Sequence, residues 1–297
     1  MKVRESWVQV RDDLATFGVA DASIEAETIV RHGLSLDRTQ FFAELDRQIG
    51  TDEMASINGL AARRKVGEPL AYILGNREFY GLEMYVNEHV LVPRQETELL
   101  VDKVLDFAER RAGESMTIAD VGTGSGAIAV ALASRLPQAT VYATDSSEAA
   151  LAVADVNRRR HDVADRVHLY HGDLLSVLPG PVDAIVSNPP YVAAGELPGL
   201  PPDVRREPRA ALDGGHDGLR VTKRLLMEAT AHLNERGQAL VEIAPQQLES
   251  VVAVAQQAFP SATVGFDRDL LGLPRVVVVK TGQSSETATS APISADR

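Results

Sequence analysis

From about Met116 onward, short β-branched runs and amphipathic helical stretches take turns along the chain, and this alternation restricts the possible folds more than any other feature. Strands are expected over residues 117–121, 140–144, 166–170, 182–187, 239–243, 262–266 and 275–280, with helices over 127–135, 148–160, 218–233 and 246–258. Strands separated by helices pair in parallel and need cover on both faces, so the expectation is an α/β, doubly wound sheet. In such a sheet ligands sit beyond the carboxyl ends of the strands. Those strand ends are therefore where chemistry should be sought.

The first such end carries Asp120-Val121-Gly122-Thr123-Gly124-Ser125-Gly126, leading directly into a helix. Glycine here permits a tight turn and lets a ligand approach the backbone. The helix start offers amides to a carboxylate or phosphate. The spacing is G-x-G-x-G, not the G-x-G-x-x-G of dinucleotide sites. Asp145 ends the next strand, where a carboxylate can accept both hydroxyls of a ribose, although Asp145-Ser146-Ser147-Glu148 also reads as a helix-capping sequence. Asp173-Leu174 follows the third strand. Its carboxylate can accept from an exocyclic adenine amine and its leucine can cover a ring face; a cap for a short helix is the plainer reading. Together these describe a pocket for an adenosine joined to a carboxylate-bearing group. S-adenosylmethionine fits that description, and so does a nucleotide.

Asn188-Pro189-Pro190-Tyr191, at the end of the fourth strand, separates the two. An amide nitrogen is a poor nucleophile because its lone pair is delocalised. Two acceptors aimed at its hydrogens would orient it and stabilise the positive charge that develops as a methyl group arrives. The side-chain oxygen of Asn188 and the carbonyl of Pro189 are suited to this, Pro190 fixes the chain direction, and Tyr191 offers a flat face to a planar substrate. Asn188 would also border the cofactor. The chemistry asks for no base and no metal, and the sequence agrees: there is no cysteine, and His171 and His216 lack ligand spacing.

The remaining chain is organised around this core. Residues 1–70 read as a helical domain, with Val3, Trp7, Val10, Leu14 and Phe17 at helical spacing, a second run from Asp21 to Gly33, and a third starting near Thr51 and ending on Arg63-Arg64-Lys65. Residues 71–94, punctuated by Gly75 and Gly81, read as a β-hairpin connector built from Tyr72-Ile73, Glu78-Phe79-Tyr80, Met84-Tyr85-Val86 and Val90-Leu91-Val92. Residues 95–282 form the expected catalytic domain, and 283–297, rich in Ser, Thr and Ala, read as a disordered tail. The formal charge of −12 disfavours a protein that wraps nucleic acid, whose affinity rests on cations. No apolar run approaches the ~18 residues of a membrane span, and the first residues lack a signal-peptide pattern. A cytoplasmic enzyme is expected.

Two motifs, Asp120 to Gly126 and Asn188 to Tyr191, resemble the class I methyltransferases that act on amide or amine nitrogens. The chain as a whole resembles the HemK/PrmC family, the glutamine methyltransferases of peptide chain release factors. The likeness extends through Gly67-Glu68-Pro69-Leu70-Ala71-Tyr72-Ile73-Leu74-Gly75, Arg77-Glu78-Phe79-Tyr80, Val92-Pro93-Arg94 with Glu96-Thr97-Glu98, and Val204-Arg205-Arg206-Glu207-Pro208-Arg209-Ala210-Ala211-Leu212. Gln95, where the family usually has proline, and Leu174, where some members carry an aromatic, depart from it. The resemblance implies a Rossmann-like sheet of seven strands with the last antiparallel, and S-adenosylmethionine contacts at Gly122, Thr123, Gly124, Ser125, Gly126, Asp145, Leu174 and Asn188. It also implies a substrate glutamine held by Asn188, Pro189, Pro190 and Tyr191, in the Gly-Gly-Gln loop of class 1 release factors, with the helical domain helping to dock that partner. Glu242 ends a strand near the pocket and is read as structural pairing before ligand contact. Competing readings are a ribosomal-protein glutamine methyltransferase, an adenine-amine DNA methyltransferase that would flip its base, and a binding protein with a vestigial methyltransferase domain.

Overall fold

The structure, a computed structural model, describes residues 1–111 and 113–282. The segment 283–297, read above as a tail, lies outside the described residues. The sheet contains β3 (Thr117–Val121), β4 (Thr140–Asp145), β5 (Val167–His171), β6 (Val182–Ser187), β7 (Leu233–Glu242), β8 (Thr263–Arg268) and β9 (Pro274–Lys280). Its order is β5-β4-β3-β6-β7-β9-β8, with only β9 antiparallel to its neighbours. The order runs outward in both directions from the β3–β6 pair, so the crevice between their carboxyl ends is the switch point of the sheet.

Period-two burial explains the layers. Ile118, Val141, Ala143, Ala184, Val186, Leu240 and Val276 face one side, where α6 (Glu98–Arg110) and α7 (Ala127–Arg135) pack through Leu100, Val104, Phe107, Ile128 and Leu132. Ala119, Val121, Ile185, Ala239, Val241 and Val277 face the other side. There α10 (Arg220–His232) and α11 (Leu248–Ala258) supply Leu225, Leu226, Val251 and Ala255. Each large aliphatic chain so buried contributes roughly 1.5–3 kcal/mol. Beyond α7, α8 (Glu148–Arg160) connects β4 to β5, and a short α9 (Arg209–Leu212) precedes α10.

Residues 1–74 form α1 (Val3–Thr16), α2 (Ala22–Gly33), α3 (Arg38–Ala43), α4 (Thr51–Lys65) and α5 (Leu70–Leu74). Two of these differ from expectation. Helix α3 buries one large side chain, Phe41, against Trp7, too little to show periodicity, and is set by reciprocal capping between Asp37 and Gln40. Tyr72-Ile73, expected to be extended, lies in α5, because the Tyr72 hydroxyl donates to the Val90 carbonyl and fixes a turn there. The hairpin itself is β1 (Asn76–Phe79) with β2 (Leu82–Tyr85), joined by Tyr80 and Gly81, both at positive φ. Val90-Leu91-Val92 joins no strand: the Val90 amide turns back to the Asn87 carbonyl and the Val92 amide donates to Glu207. Strand β7 begins at Leu233, earlier than the expected 239, where it pairs with Val182 across a register shift.

Two polar contacts hold these parts around the crevice. Asn157 of α8, fully buried, accepts from the Tyr85 amide (2.7 Å) and donates to the carbonyls of Tyr85 (2.9 Å) and Ser125 (2.8 Å). One side chain thus pins the hairpin to the glycine loop. Arg64 of α4 pairs with Glu25 of α2 and with Asp203 beyond β6 (2.6 and 3.3 Å), while Arg206 donates to the Val66 carbonyl. Replacing Asn157 with alanine strands one buried amide and two carbonyls. We expect Asn157→Ala to lower the unfolding free energy by about 3 kcal/mol, read from urea denaturation, and to weaken methyl-donor binding through the displaced loop. A loss under about 1 kcal/mol would show that the knot is not structural.

Candidate active site

At the β3 end, Gly122, Gly124 and Gly126 all take positive φ (73°, 55° and 79°), which only glycine adopts without strain. Amides of Gly122 and Thr123 both donate to the Thr144 carbonyl at 2.9 Å, folding the loop back over β4. A Cβ on Gly122 or Gly124 would meet no protein atom within 4 Å and would project into open space, whereas one on Gly126 would meet Ala154 at 3.1 Å. The first two glycines keep a cleft open; the third lets α7 approach α8. Beneath the loop, Asp120 accepts from the Thr123 hydroxyl (2.6 Å) and the Ala129 amide (3.1 Å). Its other oxygen is buried without a donor among the described residues. Burial pushes its carboxyl up to about 7, against the pull of the Thr123 hydroxyl and the Ala129 amide.

Asp145 is not the helix cap that its sequence permits. Ser147 caps α8 by accepting from the Ala150 amide, and Asp145 instead accepts from the amides of Gly124 and Ser147, each at 2.9 Å. Two backbone bonds thus hold its carboxylate at the cleft wall, with lone pairs to spare for ligand hydroxyls. Burial raises its carboxyl above the usual range, while the Gly124 and Ser147 amides hold it down. Leu174, at φ 50°, presents its side chain to the same cleft. The Asp173 carboxylate is engaged by Arg224 of α10 at 2.6 Å, a partner that the sequence did not reveal. An adenine amine would therefore share this carboxylate with the guanidinium.

The cleft, about 270 Å³, is bounded by the glycine loop, Asp145, Asp173, Leu174, Asn188 and Pro190, and roofed by the connector through Phe79, Leu91, Pro93 and Arg94. Arg94 is aimed by Glu207, whose buried carboxylate takes it at 2.5 Å together with the Val92 amide at 3.0 Å. Burial raises the Glu207 carboxyl and Arg94 draws it back. In the sequence, Arg205, Arg206 and Arg209 of the 204–212 segment read equally as holding the loop or touching an acidic partner, and Glu207 carries no separate reading. Its role here is to fasten the connector over the cleft.

Asn188 leaves β6 beside this cleft, and its orientation is fixed. Its Nδ2 donates to the Thr97 hydroxyl at 3.1 Å, which turns Oδ1 away from Thr97; no donor among the described residues is bonded to that oxygen. Thr97, buried in the turn that precedes α6, had no assigned role in the sequence. Pro189 is buried and borders neither cleft. Tyr191 borders a second cleft of about 410 Å³, with Glu196, Asp217, Leu219 and Lys223. Burial and the nearby Glu242 push its hydroxyl up to about 12, so it stays protonated. The turn is clamped from behind: Gln247 donates to the Tyr191 carbonyl (3.0 Å), and a Cβ on Gly214 would lie 2.7 Å from the Pro190 carbonyl. Among the described residues no cluster of His, Asp and Glu could hold a metal ion, and no helix is long and apolar enough to cross a membrane.

These placements separate folding from ligand binding at one position. Gly124→Ala adds a methyl group into the cleft but meets nothing in the protein. It should cost roughly 1–2 kcal/mol of stability through its positive φ while weakening methyl-donor affinity at least about tenfold in calorimetric titration. Unchanged affinity would mean that this loop does not bound the ligand.

The sequence also has close relatives. Residues 5–75 match the PrmC N-terminal domain and residues 95–198 the methyltransferase small domain. A release factor glutamine methyltransferase of Moorella thermoacetica is 44% identical over 257 residues, 86% of this chain and 90% of that one. The protein so described from Coxiella burnetii is 35% identical over 283 residues, 95% of this chain and 100% of that one. A methyltransferase structure from Pyrococcus furiosus shares the fold, with a TM-score of 0.51 over 76% of this chain and 100% of that one at 20% identity. Identity of this extent runs from the helical segment through the glycine loop to the Asn188 turn, and the chain belongs to the release factor glutamine methyltransferase family.

Proposed function

We propose that the protein methylates the side-chain amide nitrogen of the glutamine in the Gly-Gly-Gln loop of class 1 peptide chain release factors. The observation that carries this reading is the orientation of Asn188: its nitrogen is tied back to Thr97, and its oxygen, at the strand end beside the cofactor cleft, meets no donor among the described residues.

The cleft suits S-adenosylmethionine, the methyl donor of the family. The ligand is cationic at sulfur and at its amino group, and Asp145 brings a carboxylate to the cleft wall. Space above Gly122 and Gly124 admits a ligand against the backbone. Gly122, Thr123, Gly124 and Ser125 would hold its amino-acid end, Asp145 its ribose, and Asp173 and Leu174 its adenine, with Gly126 keeping α7 close to α8. When bound, the donor supplies an activated methyl group on a sulfonium.

The protein's own part is orientation. Asn188 Oδ1 would accept one hydrogen of the substrate amide and the Pro189 carbonyl, which borders neither cleft in the free protein, the other once the substrate is seated, turning its nitrogen toward the methyl group and stabilising the positive charge that grows there. One of those hydrogens must leave as a proton once the N–C bond forms, and the same oxygens can hold it until water removes it. Rate comes from positioning and fixed dipoles, with no base required. Tyr191, uncharged, and Pro190 would bracket the planar amide, and Arg94 borders the entry.

Residues 1–70 would serve as a docking domain, 71–94 as a connector and 95–282 as the catalytic domain. The charge of −12 favours a protein over a nucleic acid as the direct substrate, and a partner that works on ribosomes places the enzyme in the cytoplasm. Ribosomal protein and DNA remain the controls. Incubation with labelled S-adenosylmethionine should mark purified release factor, and not ribosomal protein or duplex DNA; label on DNA alone would contradict the reading. Asn188→Ala should reduce kcat at least about 100-fold while leaving donor affinity within several-fold of wild type. Unchanged turnover in that variant would remove the amide-orienting role.

A further inference from the structure

Between β8 and β9 the chain turns through Asp269-Leu270-Leu271-Gly272-Leu273. The Asp269 carboxylate accepts from the amides of Leu271 (3.0 Å) and Leu273 (2.9 Å) and takes the Arg275 guanidinium at 3.1 Å. The Asp269 amide donates to the Leu273 carbonyl and the Gly272 amide to the Asp269 carbonyl, each at 2.9 Å, while Arg268 donates to the Gly272 carbonyl at 2.7 Å. Gly272 supplies the positive φ of 78°. No leucine side chain takes part in fixing this turn. Yet Leu270 is 99% exposed, Leu271 82% and Leu273 44%. A buried leucine contributes roughly 1.5–3 kcal/mol to folding, and the first two forgo nearly all of it. Single exposed leucines are ordinary. Two in succession, held out on a turn that closes itself, make a preformed apolar contact.

Register places this tip at the catalytic edge of the sheet. β9 runs antiparallel to β7 with Val276 opposite Glu242, and the Arg275 carbonyl accepts from the Ile243 amide. β7 is parallel to β6 with Val241 opposite Ser187, the residue before Asn188. The turn 269–273 therefore stands beyond the carboxyl ends of β6 and β7, at the end from which the Asn188 turn emerges. β9 is two strands from β6 and β8 is three, so the tip lies about 10–15 Å to one side of Asn188. The connector lies to the other side, where Asn157 pins it to α8, the helix that follows β4.

A glutamine carried on a loop of a folded protein can reach Asn188 only if the body of that protein lies over the carboxyl ends of the strands. A standard interface covers about 800 Å² of each partner, a patch ~30 Å across, so one centred on Asn188 reaches ~15 Å in each direction. The tip of the hairpin falls inside it. We propose that Leu270 and Leu271 are a docking contact for the release factor, seated against an apolar hollow of the release-factor domain that carries Gly-Gly-Gln, on the flank of the loop opposite the connector. The proposal rests on the functional reading above. Because the turn is already ordered, docking costs it little conformational entropy. Neither leucine borders the donor cleft, so the contact adds affinity for the protein substrate and leaves the chemistry at Asn188 alone.

Two double variants of the full chain test this with labelled S-adenosylmethionine and purified release factor. Leu270→Ser with Leu271→Ser should raise KM for release factor at least about tenfold. Its kcat at saturating release factor, its calorimetric donor affinity and its urea unfolding should stay close to wild type, because the side chains removed are exposed. Leu270→Met with Leu271→Met, which keeps the apolar surface, should leave KM within about threefold of wild type. The proposal is overturned if KM is unchanged in the serine variant, if kcat at saturation falls in its place, or if the methionine variant is as damaged as the serine one. It is also overturned if wild type sediments as a dimer that the serine variant dissolves, which would assign the leucines to a second copy of the chain. Wild type that labels no release factor would overturn the functional reading and this proposal together. Wild type that labels it with a KM indifferent to the leucines overturns this proposal alone.

Discussion

Where β6 and β3 run side by side, the Ser187 hydroxyl donates to the Val121 carbonyl at 2.7 Å, joining the last residue of one strand to the last residue of the other. The glycine loop begins one residue after Val121, and the Asn-Pro-Pro-Tyr turn begins one residue after Ser187. The bond is buried and the strands are central, so the two loops share one rigid base. A cofactor site and an acceptor for the substrate amide can be matched to within tenths of an ångström only if neither loop moves independently. Strand order supplies the rest: β4 and β5 lie on one side of this pair and β7 on the other, which leaves the crevice uncovered from below.

Around that base the protein uses backbone-directed side chains as spacers. Asn157 sets the hairpin over the glycine loop, Glu207 sets the stretch before α6, and Gln247 sets the Tyr191 carbonyl. Glu207 and Gln247 bond main-chain groups in segments outside the helices and strands, and Asn157 bonds the end of β2 as well as the glycine loop. This is how a connector such as Val90-Leu91-Val92, bonded by Glu207 at the Val92 amide and by Tyr72 at the Val90 carbonyl, satisfies main-chain groups without forming sheet. The cleft they enclose is lined by the carboxylates of Asp145 and Asp173 and by Arg94 and Arg224, each arginine already paired with a carboxylate. Charge in the cleft is thus largely balanced locally, with the Asp145 carboxylate held by backbone amides and by no cation.

The parts of this site legible in sequence were those whose meaning is local. Gly122, Gly124 and Gly126 announce a tight turn, Asp145 falls at the next strand end, and Asn188-Pro189-Pro190-Tyr191 ends a buried run; the alternating pattern placed all three at the same edge of the sheet. Thr97 was not legible, because its partner Asn188 lies 91 residues away. Arg224 was hidden in the same way, 51 residues from Asp173. Glu242 could be placed near the pocket, but that its buried Oε2 meets no donor among the described residues is a property of packing that no spacing encodes. In the fold, long periodic helices were visible, whereas α3 and α5 were not: one rests on a capping pair and a single phenylalanine, the other on a tyrosine hydroxyl reaching 18 residues along the chain.

The account turns on which atom of Asn188 faces the substrate, and neutron diffraction distinguishes oxygen from a deuterated nitrogen directly. In a crystal of the protein with S-adenosylhomocysteine and a Gly-Gly-Gln peptide, we expect both deuterons of Asn188 on the Thr97 side. Oδ1 should then accept from the peptide amide at about 2.9 Å. Deuterons of Asn188 pointing at the peptide, or a glutamine bound away from Asn188, would contradict it.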